Sequence, residues 1–90
     1  MYEKYSFDIT ENILYQGDQI IDLTQKEKEV VSLLIQNRGV YISIETLHEV
    51  IWDNKDIQYA DIRMCIKRIR TKTDKEFIKN KRFVGYKIDK

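Results

Sequence analysis

The 90-residue chain has no proline, one cysteine, one histidine and three glycines, and each scarcity removes a class of explanation. A single thiol, Cys65, excludes an internal disulfide and fits a reducing compartment, so the cytoplasm is expected. His48 and Cys65 are too few to build a zinc site. Gly17, Gly39 and Gly85 stand apart and form no phosphate-cradling glycine loop. No apolar run approaches the roughly 18–20 residues of a membrane helix. The opening MYEKYSFDIT carries no apolar segment of the signal-peptide kind, so neither secretion nor a membrane is expected. With no low-complexity tract or repeat to mark a linker, residues 1–90 read as one domain. No catalytic constellation is present, so the chain reads as a non-enzyme needing no cofactor or metal.

Net charge is also nearly absent, at +1, but its distribution is lopsided. Residues 1–60 carry five Lys/Arg against eleven Asp/Glu, and residues 61–90 carry eleven against four. Within the second part, IRMCIKRIRTK (62–72) holds five basic side chains and no acid. A basic end on an acidic body suits either an ordinary solvated helix face or a surface that meets a polyanion such as nucleic acid.

Periodicity supplies the elements. Tyr5, Phe7 and Ile9 alternate with polar residues as in a half-buried strand, and NILYQGDQIIDL reads as a hairpin turning at Gly17. Three short strands are therefore expected over about 4–23. Thr24 and Glu27 make a capping box opening a helix over 25–37, with Val30, Val31, Leu34 and Ile35 inward and Gly39 as its stop. Ser43 caps a second helix over 44–52, with Ile44, Leu47, Val50 and Ile51 as one stripe. A polar loop at 53–59 precedes a third helix over 60–73. At about 100° per residue, Ile62, Ile66 and Ile69 share one face, leaving Met64, Lys67, Arg68 and Thr71 opposite. The last segment, FIKNKRFVGYKID, is expected to pair Phe77–Lys79 with Val84–Ile88 around a basic tip within a hairpin over 77–89. The expected fold is α+β: an N-terminal antiparallel sheet, three helices and a C-terminal hairpin, a winged helix-turn-helix. A basic helix of this kind fits the major groove of B-DNA, and an arginine-bearing tip fits the minor groove.

The motifs resemble the OmpR/PhoB-type winged-helix DNA-binding domain of bacterial two-component response regulators. Leu23-Thr24-Gln25-Lys26-Glu27 matches the family's "LT-x-x-E", and Leu47 through Trp52 matches its "L-x-x-x-x-W". Residues 62–72 match its recognition helix, and Asn80-Lys81-Arg82-Phe83-Val84-Gly85-Tyr86 matches its wing. The resemblance implies sequence-specific double-stranded DNA binding. Asp61, Met64 and Arg68 take the base-facing positions. Trp52, Cys65, Lys67, Thr71, Lys72, Asn80 and Lys81 take the backbone and groove-wall positions, and Arg82 takes that of the minor-groove arginine. Asp53, Asn54, Lys55 and Asp56 fall in the loop that in some members touches RNA polymerase. The resemblance also implies a receiver domain in the full-length protein and head-to-tail dimers on direct repeats. Three positions depart from the pattern: Phe83 stands for the wing's first glycine, Cys65 for a common histidine, and Asp61 puts an acid on the DNA side. Asp61 and Phe83 also suit an alternative, a winged-helix protein-interaction module without DNA binding.

Overall fold

The computed structural model describes residues 5–53 and 56–89. Strands β1 (Tyr5–Asp8), β2 (Ile13–Gln16) and β3 (Gln19–Ile21) form an antiparallel sheet in that order. Gln16 pairs with Gln19 across the two-residue turn, where Gly17 has φ of 62°.

Helix α1 (Gln25–Gln36) opens on the complete capping box. The Glu27 amide donates to Thr24 Oγ1 at 3.3 Å, and the Thr24 amide donates to Glu27 Oε1 at 3.0 Å. Val30, Val31 and Leu34 are fully buried. The helix stops earlier than Gly39 suggested. Asn37 is the C-cap, and its side-chain amide donates to the Leu33 carbonyl at 2.9 Å, satisfying a last-turn acceptor that glycine would otherwise serve. Gly39 instead donates its amide to the Ile88 carbonyl at 3.0 Å.

Helix α2 (Ile44–Ile51) begins at Ser43, whose Oγ accepts from the Thr46 amide at 3.1 Å. Leu47 and Ile51 are buried, whereas Val50, expected in the stripe, is 61% exposed. At helical spacing Val50 lies about 90° from the centre of the Ile44–Leu47–Ile51 face, beyond what a two-turn helix can cover. Helix α3 (Tyr59–Lys72) buries Ile62, Ile66 and Ile69 as expected, with Cys65 added to the stripe.

The wing is β4 (Lys79–Lys81) against β5 (Gly85–Lys87), with Asn80 opposite Tyr86. This is a shorter pairing than expected. Phe77 and Ile78 stay outside it because the core claims them: Ile78 is fully buried, and Phe77 stacks at 4.8 Å on Tyr5. Two hydrogen bonds, Ile42 amide to Tyr86 carbonyl at 2.7 Å and Tyr86 amide to Ile42 carbonyl at 2.9 Å, fasten β5 to the segment before α2. Arg70 donates to the Ile78 carbonyl from Nε (3.1 Å) and Nη2 (2.6 Å), tying the base of the wing to α3.

Candidate nucleic-acid interface

The outward face of α3 and the wing hairpin carry the expected site residues, and the structure separates them by what each side chain already holds. Met64 is 48% exposed, and Lys67 and Thr71 are also exposed, Thr71 Oγ1 donating back to the Lys67 carbonyl at 3.0 Å. Asp61 is exposed but employed: its Oδ2 accepts from the Gln58 amide at 2.9 Å in a capping box at the start of α3. An acid in the first turn also complements the helix dipole.

Arg68 and Lys72 converge on Glu27, which is completely buried. Lys72 Nζ donates to Glu27 Oε1 at 2.7 Å, and Arg68 Nε lies 3.5 Å from Oε2. Oε2 accepts no hydrogen bond among the described residues, so the Arg68 charge is what faces it. Burial pushes the Glu27 carboxyl up. The hydrogen bonds from Lys72 and the Thr24 amide, with the Lys72 and Arg68 charges, outweigh that and hold it below its ordinary value of 4.5. The terminal nitrogens of Arg68 make no hydrogen bond among the described residues, and its side chain is 57% exposed. Its guanidinium thus has one edge against Glu27 and its other donors uncommitted.

Two basic residues of the wing and its flank are paired locally. Lys79 meets Glu76 and Lys87 meets Asp89, each at 3.3 Å. Arg63, Lys67, Lys81 and Arg82 have no acidic partner among the described residues. Arg63 and Lys67 are four apart and share one side of α3. Arg63, Lys81 and Arg82 line a cleft of about 470 Å³ between the wing and the starts of α2 and α3, together with Tyr59, Asn80 and the acid Glu45. Four exposed cations without acidic partners among the described residues thus lie together along α3 and the adjoining wing, with Lys28, Arg38 and Lys75 also unpaired elsewhere on the domain. Arg63 and Tyr59 were not singled out from the sequence. A helical wheel puts Arg63 on a flank beside Arg70, and only the position of the wing makes that flank a cleft wall.

Cys65 corrects an expectation. It is 3% exposed and packed in the core, not at a groove wall, because at helical spacing it borders the Ile62–Ile69 stripe. Burial, and then the charge of Glu27, push its thiol up to about 11 against the opposing charges of Arg68 and Lys72. In the folded domain Cys65 is expected to react with a thiol reagent such as dithionitrobenzoate no faster than the structure opens. Immediate stoichiometric modification at neutral pH, without denaturant, would contradict that burial.

Trp52 is the C-cap of α2 and half-buried, with Lys26 Nζ 5.9 Å above its ring. Asp53 and Asp56 are exposed, whereas Asn54 and Lys55 lie outside the described residues. His48 holds the loop to α2, its Nε2 lying 2.9 Å from the Ile57 carbonyl. Among the described residues no cluster of His, Cys, Asp or Glu could hold a metal ion, and no helix is long and apolar enough to cross a membrane.

A sheet, three helices with the last basic outside, and a hairpin docked beside it define a winged helix-turn-helix domain. Residues 17–88 match the family model described as "Transcriptional regulatory protein, C terminal". The chain belongs to that family, the OmpR/PhoB-type DNA-binding effector domains of response regulators. It is 33% identical over 78 residues to the regulatory protein VanRB of Enterococcus faecalis, covering 86% of this chain and 35% of VanRB. It is 35% identical over 86 residues to the transcriptional regulatory protein YclJ of Bacillus subtilis, covering 89% of this chain and 37% of YclJ. The chain thus spans little more than a third of these curated relatives.

Among solved structures, the response regulator DrrB of Thermotoga maritima, an OmpR/PhoB homolog, superposes with a TM-score of 0.88 at 25% identity. That match covers all of this chain and 43% of DrrB. The DNA-binding domain of the response regulator AdeR, solved in complex with an intercistronic region, has a TM-score of 0.83 at 20% identity, with 99% of this chain and 97% of that domain covered.

Proposed function

We propose that the domain reads duplex DNA with α3 in the major groove and the wing in the adjacent minor groove, as the effector half of a response regulator. The observation that carries this reading is the clustering of Arg63, Lys67, Lys81 and Arg82, exposed cations without acidic partners among the described residues, on α3 and the wing beside it. Phosphate contact by such groups releases counterions and makes affinity fall steeply with salt. The DNA-binding domain of AdeR, a structural neighbour of the same fold, was solved in complex with an intercistronic region, which supports DNA as the partner.

In this arrangement Met64 and Arg68 face base edges, with Arg68 suited to a guanine and Met64 to a thymine methyl. Asp61, at the start of α3, is placed to accept from a cytosine amino group. Lys67, Thr71, Asn80 and Lys81 contact phosphates, with Trp52 near them at the end of α2. Lys72 adds its charge there while also holding Glu27. Arg63, which the structure adds to this set, contacts the strand lying in the cleft, and Arg82 enters the minor groove. A receiver domain in the complete protein, head-to-tail pairing on direct repeats, and contact of the loop around Asp53 and Asp56 with RNA polymerase complete the proposal.

Selection of duplexes from a random pool, followed by gel-shift titration, tests it. Arg68→Ala should cost about 1–3 kcal/mol at the selected site and relax preference at one base pair. Lys67→Ala should weaken all duplexes alike and lower the salt slope by about 1. Binding unchanged by Arg63→Ala, Lys67→Ala, Arg68→Ala and Arg82→Ala combined would overturn the proposal. No affinity for any duplex at low salt would favour the protein-interaction alternative.

A further inference from the structure

We propose that Phe83 is an apolar wedge that enters the minor groove of bound duplex and partly unstacks one base step; this rests on the DNA-binding reading above. The wing turns at Arg82 and Phe83, closed by the Val84 amide donating to the Lys81 carbonyl at 2.9 Å. At the second central position Phe83 has φ of 66°, the left-handed conformation that glycine or asparagine ordinarily supplies in such a turn. A phenylalanine there is strained.

The strain brings no packing in return. Phe83 is 96% exposed, and the ring contact recorded for it is the Arg82 guanidinium at 5.2 Å. Val84, 44% exposed, extends the apolar tip. Among the described residues, the most exposed large apolar side chain therefore stands at the apex of a basic hairpin, in a conformation that disfavours it.

The flanking chemistry selects the partner. Lys81 and Arg82, both without acidic partners among the described residues, immediately precede Phe83 in the turn, and Arg63 of α3 lines the same cleft. This suits a long polyanion that offers an apolar slot between its charged rails. Duplex DNA meets that description at a minor-groove base step, where phenylalanine wedges unstack the bases. Arg82 can then leave the ring for the groove floor as the ring enters the stack. Flexible pyrimidine–purine steps should be favoured, since they open most easily.

The test uses a duplex recovered by selection, with 2-aminopurine placed at successive steps under the wing and donor and acceptor dyes at its ends. Wild-type protein should raise 2-aminopurine fluorescence at one step and bend the duplex by roughly 20–90°. Phe83→Asn and Phe83→Gly, which tolerate positive φ, should lose both signals while melting at the wild-type temperature or above. Retention of both signals by these variants would overturn the wedge and leave DNA binding intact, as would wild-type binding without unstacking. Failure of the wild type to bind any duplex would overturn both readings together. Phe83-dependent binding to phosphatidylglycerol vesicles, with no fluorescence change on duplex, would assign the ring to a lipid surface and also overturn the wedge.

Discussion

Gly85→Ala should lower stability by roughly 2–6 kcal/mol, from strained backbone and overpacking together. Gly85 has φ of 150°, and a Cβ there would overlap the Ile42 carbonyl oxygen and carbon and stand 3.0 Å from Ser43 Cα. These are backbone atoms at the entry to α2, so they cannot swing aside as a side chain would. The pair of hydrogen bonds between Ile42 and Tyr86 runs through this contact. Relieving the overlap means lifting the wing from α2 and drawing Tyr86 and Ile88 out of the core. Since a domain this size shifts by roughly 4–8 °C per kcal/mol, the melting temperature should fall by at least about 8 °C. Gly17→Ala is the control. Its φ is 62° but nothing lies within 4 Å of the added Cβ, so it should lose only about 1–2 kcal/mol of backbone preference. Equal losses in the two variants, followed by circular dichroism, would refute tight docking of the wing.

Glu27→Ala should cost roughly 2–4 kcal/mol, combining a lost capping box with a buried carboxylate removed from beneath two cations. The figure stays at the low end for a buried ion pair because Lys72 and Arg68 are 34% and 57% exposed and regain water once released. Glu27→Gln separates the contributions. A glutamine can still accept from the Thr24 amide, so it should lose only the charge-dependent part. The carboxyl is held below 4.5 in the folded domain. Its stabilisation is therefore complete above that value and disappears as the pH falls through the lower folded value. The wild-type margin over Glu27→Gln should shrink across that acid window and be constant above it. A margin that instead grows on acidification would contradict the arrangement of charges around Glu27.

Local chemistry made much of the fold legible. The Thr24–Glu27 box, the Ser43 cap, the Gln16–Gln19 turn and the Ile62–Ile66–Ile69 stripe depend on residues within a few positions of one another, and each is where its pattern indicates. Errors arose where a distant element outcompeted the local pattern. Ile78 and Phe77 left the wing strand for the core, Asn37 closed α1 before Gly39, and Cys65 joined the buried stripe. The candidate interface was legible as a basic helix and a basic hairpin, but Arg63 and Tyr59 gained their place only from the cleft between them.

By itself the sequence determined the elements, the family and the basic surface, because helical period, caps and motif spacing are short-range properties. The tertiary structure decided which charges are available. Lys72 and Glu27 are 45 residues apart in the chain, and no periodicity relates them. Their pairing anchors Lys72 and one edge of Arg68, Arg70 is held by the Ile78 carbonyl, and on α3 and the wing Arg63, Lys67, Lys81 and Arg82 are left without acidic partners among the described residues. It also placed Phe83 at the exposed apex of a strained turn, since a positive φ belongs to the closed hairpin and not to phenylalanine.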